Sequence, residues 1–252
     1  MNAIDRYFTV CRETAEKVLH TERDVLEKAA EAVADATQNK KSIFAFGASH
    51  AGLITQELFY RTGGLVTINP IRAPGMMLDM TPITGTSKLE RLEGYGKLIL
   101  EGEKIGEGDL LILHSVSGRN AVAIDMAAEA KKRGVTVIAL TNMNTSTAVA
   151  SRHSSGKKLY DFADILIDNC GEKGDAALAL PGLPEKAGPT STVVGALILN
   201  AIAVRAMEIL LERGIEPPVF IPACATEPPP CSYPLPQNAK EKKFNRHIVR
   251  FT

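Results

Sequence analysis

Five short apolar runs, spread through the middle of the chain and interrupted only by Thr67 and Thr136, constrain its fold more than any other feature. They occupy residues 43–46, 65–68, 110–113, 135–140 and 165–167. Each has strand length and is near-continuously apolar rather than alternating, as expected of strands covered on both faces. Helix-forming segments at 51–61, 89–101 and 120–133 separate most of them. Strand and helix in this order predict an α/β fold, a doubly wound, five-stranded parallel sheet with right-handed crossovers.

Ahead of the first run, Ile4, Phe8, Cys11, Ala15, Val18, Val25, Ala29, Val33 and Ala36 recur at helical spacing. That period predicts one long amphipathic helix, or two joined at a bend. The chain therefore divides into an N-terminal helical arm (1–40), an α/β domain (41–214) and a proline-rich tail (215–252). In the tail Pro217, Pro218, Pro222, Pro228–Pro230, Pro234 and Pro236 exclude regular structure, so residues 215–237 are expected to be extended. An extended helix before a compact domain points to a homodimer or homotetramer. The apolar stretch 193–204 reads as a buried helix, too short to cross a membrane.

The charge balance bears on partners. Lysine plus arginine (29) equals aspartate plus glutamate (29), so no net field draws the chain to nucleic acid or anionic lipid. The basic cluster at 240–243 reads as a solvated face. The four cysteines form no C-x-x-C pair, which fits reduced thiols in a cytoplasmic protein. Residues 1–5 lack the basic start and apolar core of a signal peptide. A neutral chain that binds an anion must do so with local geometry.

In an open parallel sheet, ligands bind beyond the carboxyl ends of the strands. Two such places stand out. After the first run comes Gly47-Ala48-Ser49-His50, and after the third comes His114-Ser115-Val116-Ser117-Gly118-Arg119-Asn120. Both combine small residues, which let the backbone approach a ligand, with hydroxyls that can donate to an anion. Both are expected to open a helix whose free N–H groups favour negative charge. Together they suggest a phosphate cradle that uses no lysine; taken singly, each is equally an ordinary cap or turn.

At these residues the chain resembles the sugar isomerase (SIS) domain family. The likeness rests on Ser49 in the first Gly-rich loop and on Ser115-Val116-Ser117-Gly118 in the second. It continues through Asp168-Asn169, Gly174-Asp175-Ala176 and Gly188-Pro189-Thr190-Ser191-Thr192, which look most like bacterial SIS proteins labelled phosphoheptose isomerase. The resemblance covers about residues 4–220. It implies an SIS fold and a sugar phosphate held by Ser49, Ser115 and Ser117, with Gly47, Gly118 and Asn120 shaping the loops. Many members carry a threonine where this chain has Asn120, which can still donate a hydrogen bond.

The family includes aldose–ketose isomerases, a sugar-ether lyase and regulators that only sense phosphosugars. Isomerisation through an enediol needs a base near the sugar. Glu57, eight residues beyond Ser49, is one candidate, and a solvated helix glutamate is the alternative reading. His50, His153 and Lys186 (with Glu185) are further catalytic candidates, each equally readable as a cap, loop or surface residue. His20 and His247 read as structural or exposed. No H-E-x-x-H, C-x-x-C or three-ligand spacing points to a metal. The first loop also lacks the G-x-G-x-x-G of dinucleotide binding, so no cofactor is expected.

Overall fold

A computed structural model describes residues 1–220. The tail expectation from 221 onward, with the basic cluster at 240–243 and His247, lies outside the described residues.

Five parallel strands form one sheet: β1 (Ile43–Gly47), β2 (Ile68–Pro70), β3 (Leu110–His114), β4 (Thr136–Thr141) and β5 (Ile165–Asp168). Their order across the sheet is β2-β1-β3-β4-β5, so the chain runs outward in both directions from the β1–β3 pair. The helices are α1 (Ala3–Thr21), α2 (Arg23–Gln38), α3 (Leu53–Glu57), α4 (Thr84–Leu89), α5 (Tyr95–Glu101), α6 (Ala121–Lys132), α7 (Met143–Ser146) and α8 (Ser191–Glu212).

The near-continuous apolar strand runs have their expected cause. Ile43, Ala45, Leu110, Ile112, Ile138 and Leu140 face one core, which is closed by α2, α3 and α8. Phe44, Phe46, Leu111, Leu113, Val137 and Ala139 face a second core, closed by α6. Period-two alternation thus serves two buried layers rather than one buried and one wet face. Full burial of each large aliphatic side chain contributes about 1.5–3 kcal/mol.

The N-terminal periodicity resolves into two helices that break at Glu22. Asn2 and Asp5 form a reciprocal capping box at the start of α1. At the break the Glu22 carboxylate accepts a hydrogen bond from the Asp168 N–H (3.2 Å), which ties the bend to the end of β5. Helix α2 buries Ala29, Ala30, Val33, Ala34 and Ala36, and its small side chains let it lie close to α8.

Three boundaries differ from expectation. The apolar run at 65–68 is shared: Leu65 bridges Val219, Val66 donates to the Pro218 carbonyl, and only 68–70 joins β1. The first residues of the expected tail are therefore extended and paired against 63–66. The stretch at 193–204 is the middle of a 22-residue helix, long and apolar enough to cross a membrane by length and composition. Its inner face (Val194, Ile198, Leu199, Ile202, Ala206, Leu210) fills the first core, as a core helix does. The loop at 171–189 contains an antiparallel pair, β6 (Ala176–Leu178) and β7 (Ala187–Pro189).

Candidate functional site

The two serine loops leave neighbouring strands side by side, because Gly47 at the end of β1 is in register with His114 at the end of β3. The first loop turns back at once into a 3-10 turn over Ser49–Gly52. A Cβ on Gly47 would lie 2.3 Å from the Ala51 carbonyl oxygen, and one on Gly52 would lie 2.6 Å from the Gly47 oxygen. Only glycine at both positions permits so tight a return.

The second loop is fastened from β4. The Ser115 N–H donates to the Leu140 carbonyl (3.1 Å), and the Asn142 N–H donates to the Val116 carbonyl (3.0 Å). The Thr141 hydroxyl donates to the Ser115 carbonyl (2.7 Å). The Ser115 hydroxyl oxygen accepts from the Gly118 N–H (3.2 Å), closing a turn that needs the left-handed φ of +58° at Gly118. This fastening leaves donors over. The N–H groups of Val116 and Ser117, and the Ser117 hydroxyl, donate to no described residue. They lie in the loop that leads through the N-cap Asn120 into the 12-residue α6, whose dipole favours an anion at that end.

Between the loops lies a cleft of about 320 Å³, lined by Ala48, His50, Glu90, His114, Ser115, Ser117, Asn120, Thr145 and Asp175 among others. Asp175 caps α8: its carboxylate accepts from the Ser191 N–H (2.8 Å), the Ser191 hydroxyl (2.7 Å) and the Thr190 N–H (3.2 Å). Glu90 accepts from the Asn120 side-chain amide at 2.6 Å.

His114 is 1% exposed, and its Nδ1 lies 2.9 Å from the Ala51 carbonyl. A carbonyl only accepts, so Nδ1 carries the proton and Nε2 of the neutral ring holds a lone pair. Nε2 is buried and has no hydrogen-bond partner among the described residues. Burial pushes the imidazole pKa down to about 4; the bond to Ala51 and the charge of Asp175 oppose the shift, and His50 adds to it.

The residues expected from sequence are distributed unevenly. His50, Ser115, Ser117 and Asn120 line the cleft. Asn120 is already engaged there, giving its amide to Glu90 and accepting from Arg152 (3.0 Å). Gly47 and Gly118 lie beneath the loops and allow their turns. Ser49 is not among the lining residues; its φ is +56° and its N–H is spent on the Met76 carbonyl (2.6 Å).

The structure does not bring Glu57, His153 or Lys186 to the cleft lining. Glu57 ends the five-residue α3 and is ion-paired with Arg61, with both side chains more than 40% exposed. The helix expected over 51–61 stops there because Tyr60 turns left-handed (φ +49°) and stacks edge-on with Phe220. His153 is held by Asp125 (3.1 Å) and Ser155 (2.7 Å), fastening its loop to α6. Lys186 pairs with Glu172 (3.1 Å) in solvent. Among the described residues no three His, Cys, Asp or Glu side chains gather as a metal site would require.

Sequence reading assigned no role to Glu90, His114 or Asp175. His114 carried a usable signal, since it continues the Leu110–Ile112 alternation and so faces the first core. Asp175 lay within the Gly174-Asp175-Ala176 motif. Glu90 carried none, because only the fold brings it to Asn120.

Comparison with known proteins adds the lineage. The SIS domain family model matches residues 6–142, a span that contains both serine loops. A UPF0309 protein of Shouchella clausii is 49% identical over 220 residues, covering 87% of this chain and 89% of the relative. A UPF0309 protein of Oceanobacillus iheyensis is 47% identical over 220 residues, with the same coverage. Among solved structures, a phosphoheptose isomerase from Francisella tularensis superposes with a TM-score of 0.51 at 16% identity, covering 82% of this chain and 100% of that one. A phosphoheptose isomerase from Neisseria gonorrhoeae gives 0.50 at 18% identity, covering 81% and 94%. At such identities the structural likeness is one of fold.

Proposed function

The chain belongs to the SIS-domain family, within its UPF0309 group, and from that premise we propose that the cleft between the two loops binds a sugar phosphate. One observation carries the reading. Uncommitted donors at Val116 and Ser117, in the loop that leads into α6, stand on the wall of a cleft large enough for a small sugar. A phosphate dianion would take those donors and the helix dipole together.

The reaction proposed is aldose–ketose isomerisation, in keeping with the phosphoheptose isomerases that share the fold. With Glu57 outside the cleft, Glu90 and His50 are the side chains proposed to move the proton between adjacent carbons; the other ionisable groups on the wall, Asp175 and His114, are held by the start of α8 and by Ala51. A second reading, a non-catalytic phosphosugar sensor, is favoured by that same position of Glu57. Elimination at a sugar ether would use a similar carboxylate and is separated by product analysis.

The test is a thermal-shift screen of pentose, hexose, heptose and amino-sugar phosphates on wild type and Ser117→Ala, followed by a search for interconversion. Stabilisation of wild type and its loss in the variant support binding, since a ligand of the folded state raises the melting temperature by mass action. Stabilisation without turnover selects the sensor. Absence of any stabilisation removes both readings.

Self-association is part of the proposal. Ile4 and Phe8 on α1, and Val193, Leu197, Val204 and Leu211 on α8, are exposed apolar side chains that a second copy would cover. Sedimentation showing a monomer at micromolar concentration would remove this element.

A further inference from the structure

We infer that Nε2 of His114 accepts a hydrogen bond from a hydroxyl of the bound ligand, and so orients the sugar relative to its phosphate. The inference rests on the sugar-phosphate reading of the cleft. His114 stands where the two loops meet: it precedes Ser115 of the second loop and donates from Nδ1 to Ala51 of the first. That bond fixes the tautomer and leaves the Nε2 lone pair buried, without a donor, in a residue that lines the cleft. A buried acceptor left unmet is costly, and the cost is removed when a ligand supplies the donor.

The other polar groups on the wall do not supply it. Asp175 and Glu90 are acceptors already engaged, the first by the start of α8 and the second by Asn120. The hydroxyls of Ser115, Ser117 and Thr145 and the side chains of His50 and Asn120 have protons to donate, but none makes a hydrogen bond to Nε2. The phosphomonoester dianion of a sugar phosphate has no proton to give, and its oxygens are repelled by a lone pair. A sugar hydroxyl has one. The two kinds of wall therefore sort the two ends of the ligand, with phosphate toward Ser117 and α6 and a hydroxyl toward His114. Burial keeps the ring neutral through the physiological range, so the acceptor form is always present. A ring so reluctant to hold a proton is a poor general base, and its role is positioning and selection.

The full-length chain, labelled with ¹⁵N in its histidine rings, tests this. Fructose 6-phosphate, sedoheptulose 7-phosphate and inorganic phosphate are each titrated while the Nε2 resonance of His114 is followed. Sugar phosphates that bind are expected to move that resonance, and inorganic phosphate is expected to leave it in place. His114→Asn retains a short side-chain amide to serve Ala51 and deletes the Nε2 position. It is expected to bind inorganic phosphate as wild type does and the sugar phosphates roughly tenfold to hundredfold more weakly. A sugar phosphate that raises the melting temperature of wild type yet leaves Nε2 unmoved overturns the inference and spares the binding proposal. Wild-type affinity in a folded His114→Asn protein overturns it likewise. If neither sugar phosphate binds, the parent reading and this one fall together. Should the variant not fold, the wild-type titration decides alone.

Discussion

Replacing Gly47 by alanine perturbs the point on which both loops depend. The new Cβ would lie 2.3 Å from the Ala51 oxygen, 2.5 Å from its carbonyl carbon and 2.8 Å from the Gly52 nitrogen. All three are backbone atoms, so no side chain can swing aside. Ordinary contact begins near 3.4 Å, so the 3-10 turn must retreat by about 1 Å. Overpacking of this kind costs about 3 kcal/mol, which lowers the melting temperature by roughly 6–12 °C in a domain of this size. The retreat also carries the Ala51 carbonyl away from His114 Nδ1, so the histidine loses the bond that fixes its tautomer. Gly63→Ala is the control: its φ is +79° and nothing lies within 4 Å of a new Cβ, so only backbone conformation is charged, about 1–2 kcal/mol. Melting by calorimetry and the ¹⁵N spectrum of His114 read the two effects. Equal melting temperatures for Gly47→Ala and Gly63→Ala, with an unchanged His114 signal, would refute the reasoning.

Other expectations follow from the same contacts. Asp175→Ala removes three hydrogen bonds from the start of α8 and should cost about 2 kcal/mol, while Asp175→Asn, which keeps an acceptor, should cost less; thermal melts check the order. His114 has a folded pKa of about 4 against 6.5 when unfolded, so the unfolded chain binds the extra proton. Its contribution is complete above pH 6.5 and is lost as pH falls toward 4, by about 3 kcal/mol; denaturant melts of wild type and His114→Asn across that window should diverge by this amount. Glu57→Gln should leave both stability and ligand-induced stabilisation near wild type, because an exposed pair with Arg61 is worth at most about 1 kcal/mol. A loss of ligand response in that variant would return Glu57 to the site.

Much of the fold was legible because burial on both sheet faces demands near-continuous apolar runs, and few other structures make that demand. β1, β3, β4 and β5 fall where those runs lie, within a residue at either end. β2 does not, since the run at 65–68 is divided between the sheet edge and the chain at 218–220, a partner with no local sequence signature. The second loop was readable from small residues at a strand end. The first was readable only as far as its glycines, because the return of the chain at Gly52 decides that His50 rather than Ser49 reaches the wall. The carboxylates followed the same division. Glu57 was conspicuous by sequence distance from Ser49 but found its partner one helical turn away, whereas Glu90 is carried to Asn120 across 30 residues by tertiary structure.

Backbone amide spectra of wild type during titration with a stabilising sugar phosphate probe the anion cradle most directly. The Val116 and Ser117 N–H resonances should shift first and furthest, as donors pass from water to phosphate oxygen. Saturable binding that moves resonances elsewhere and leaves those two in place would contradict it.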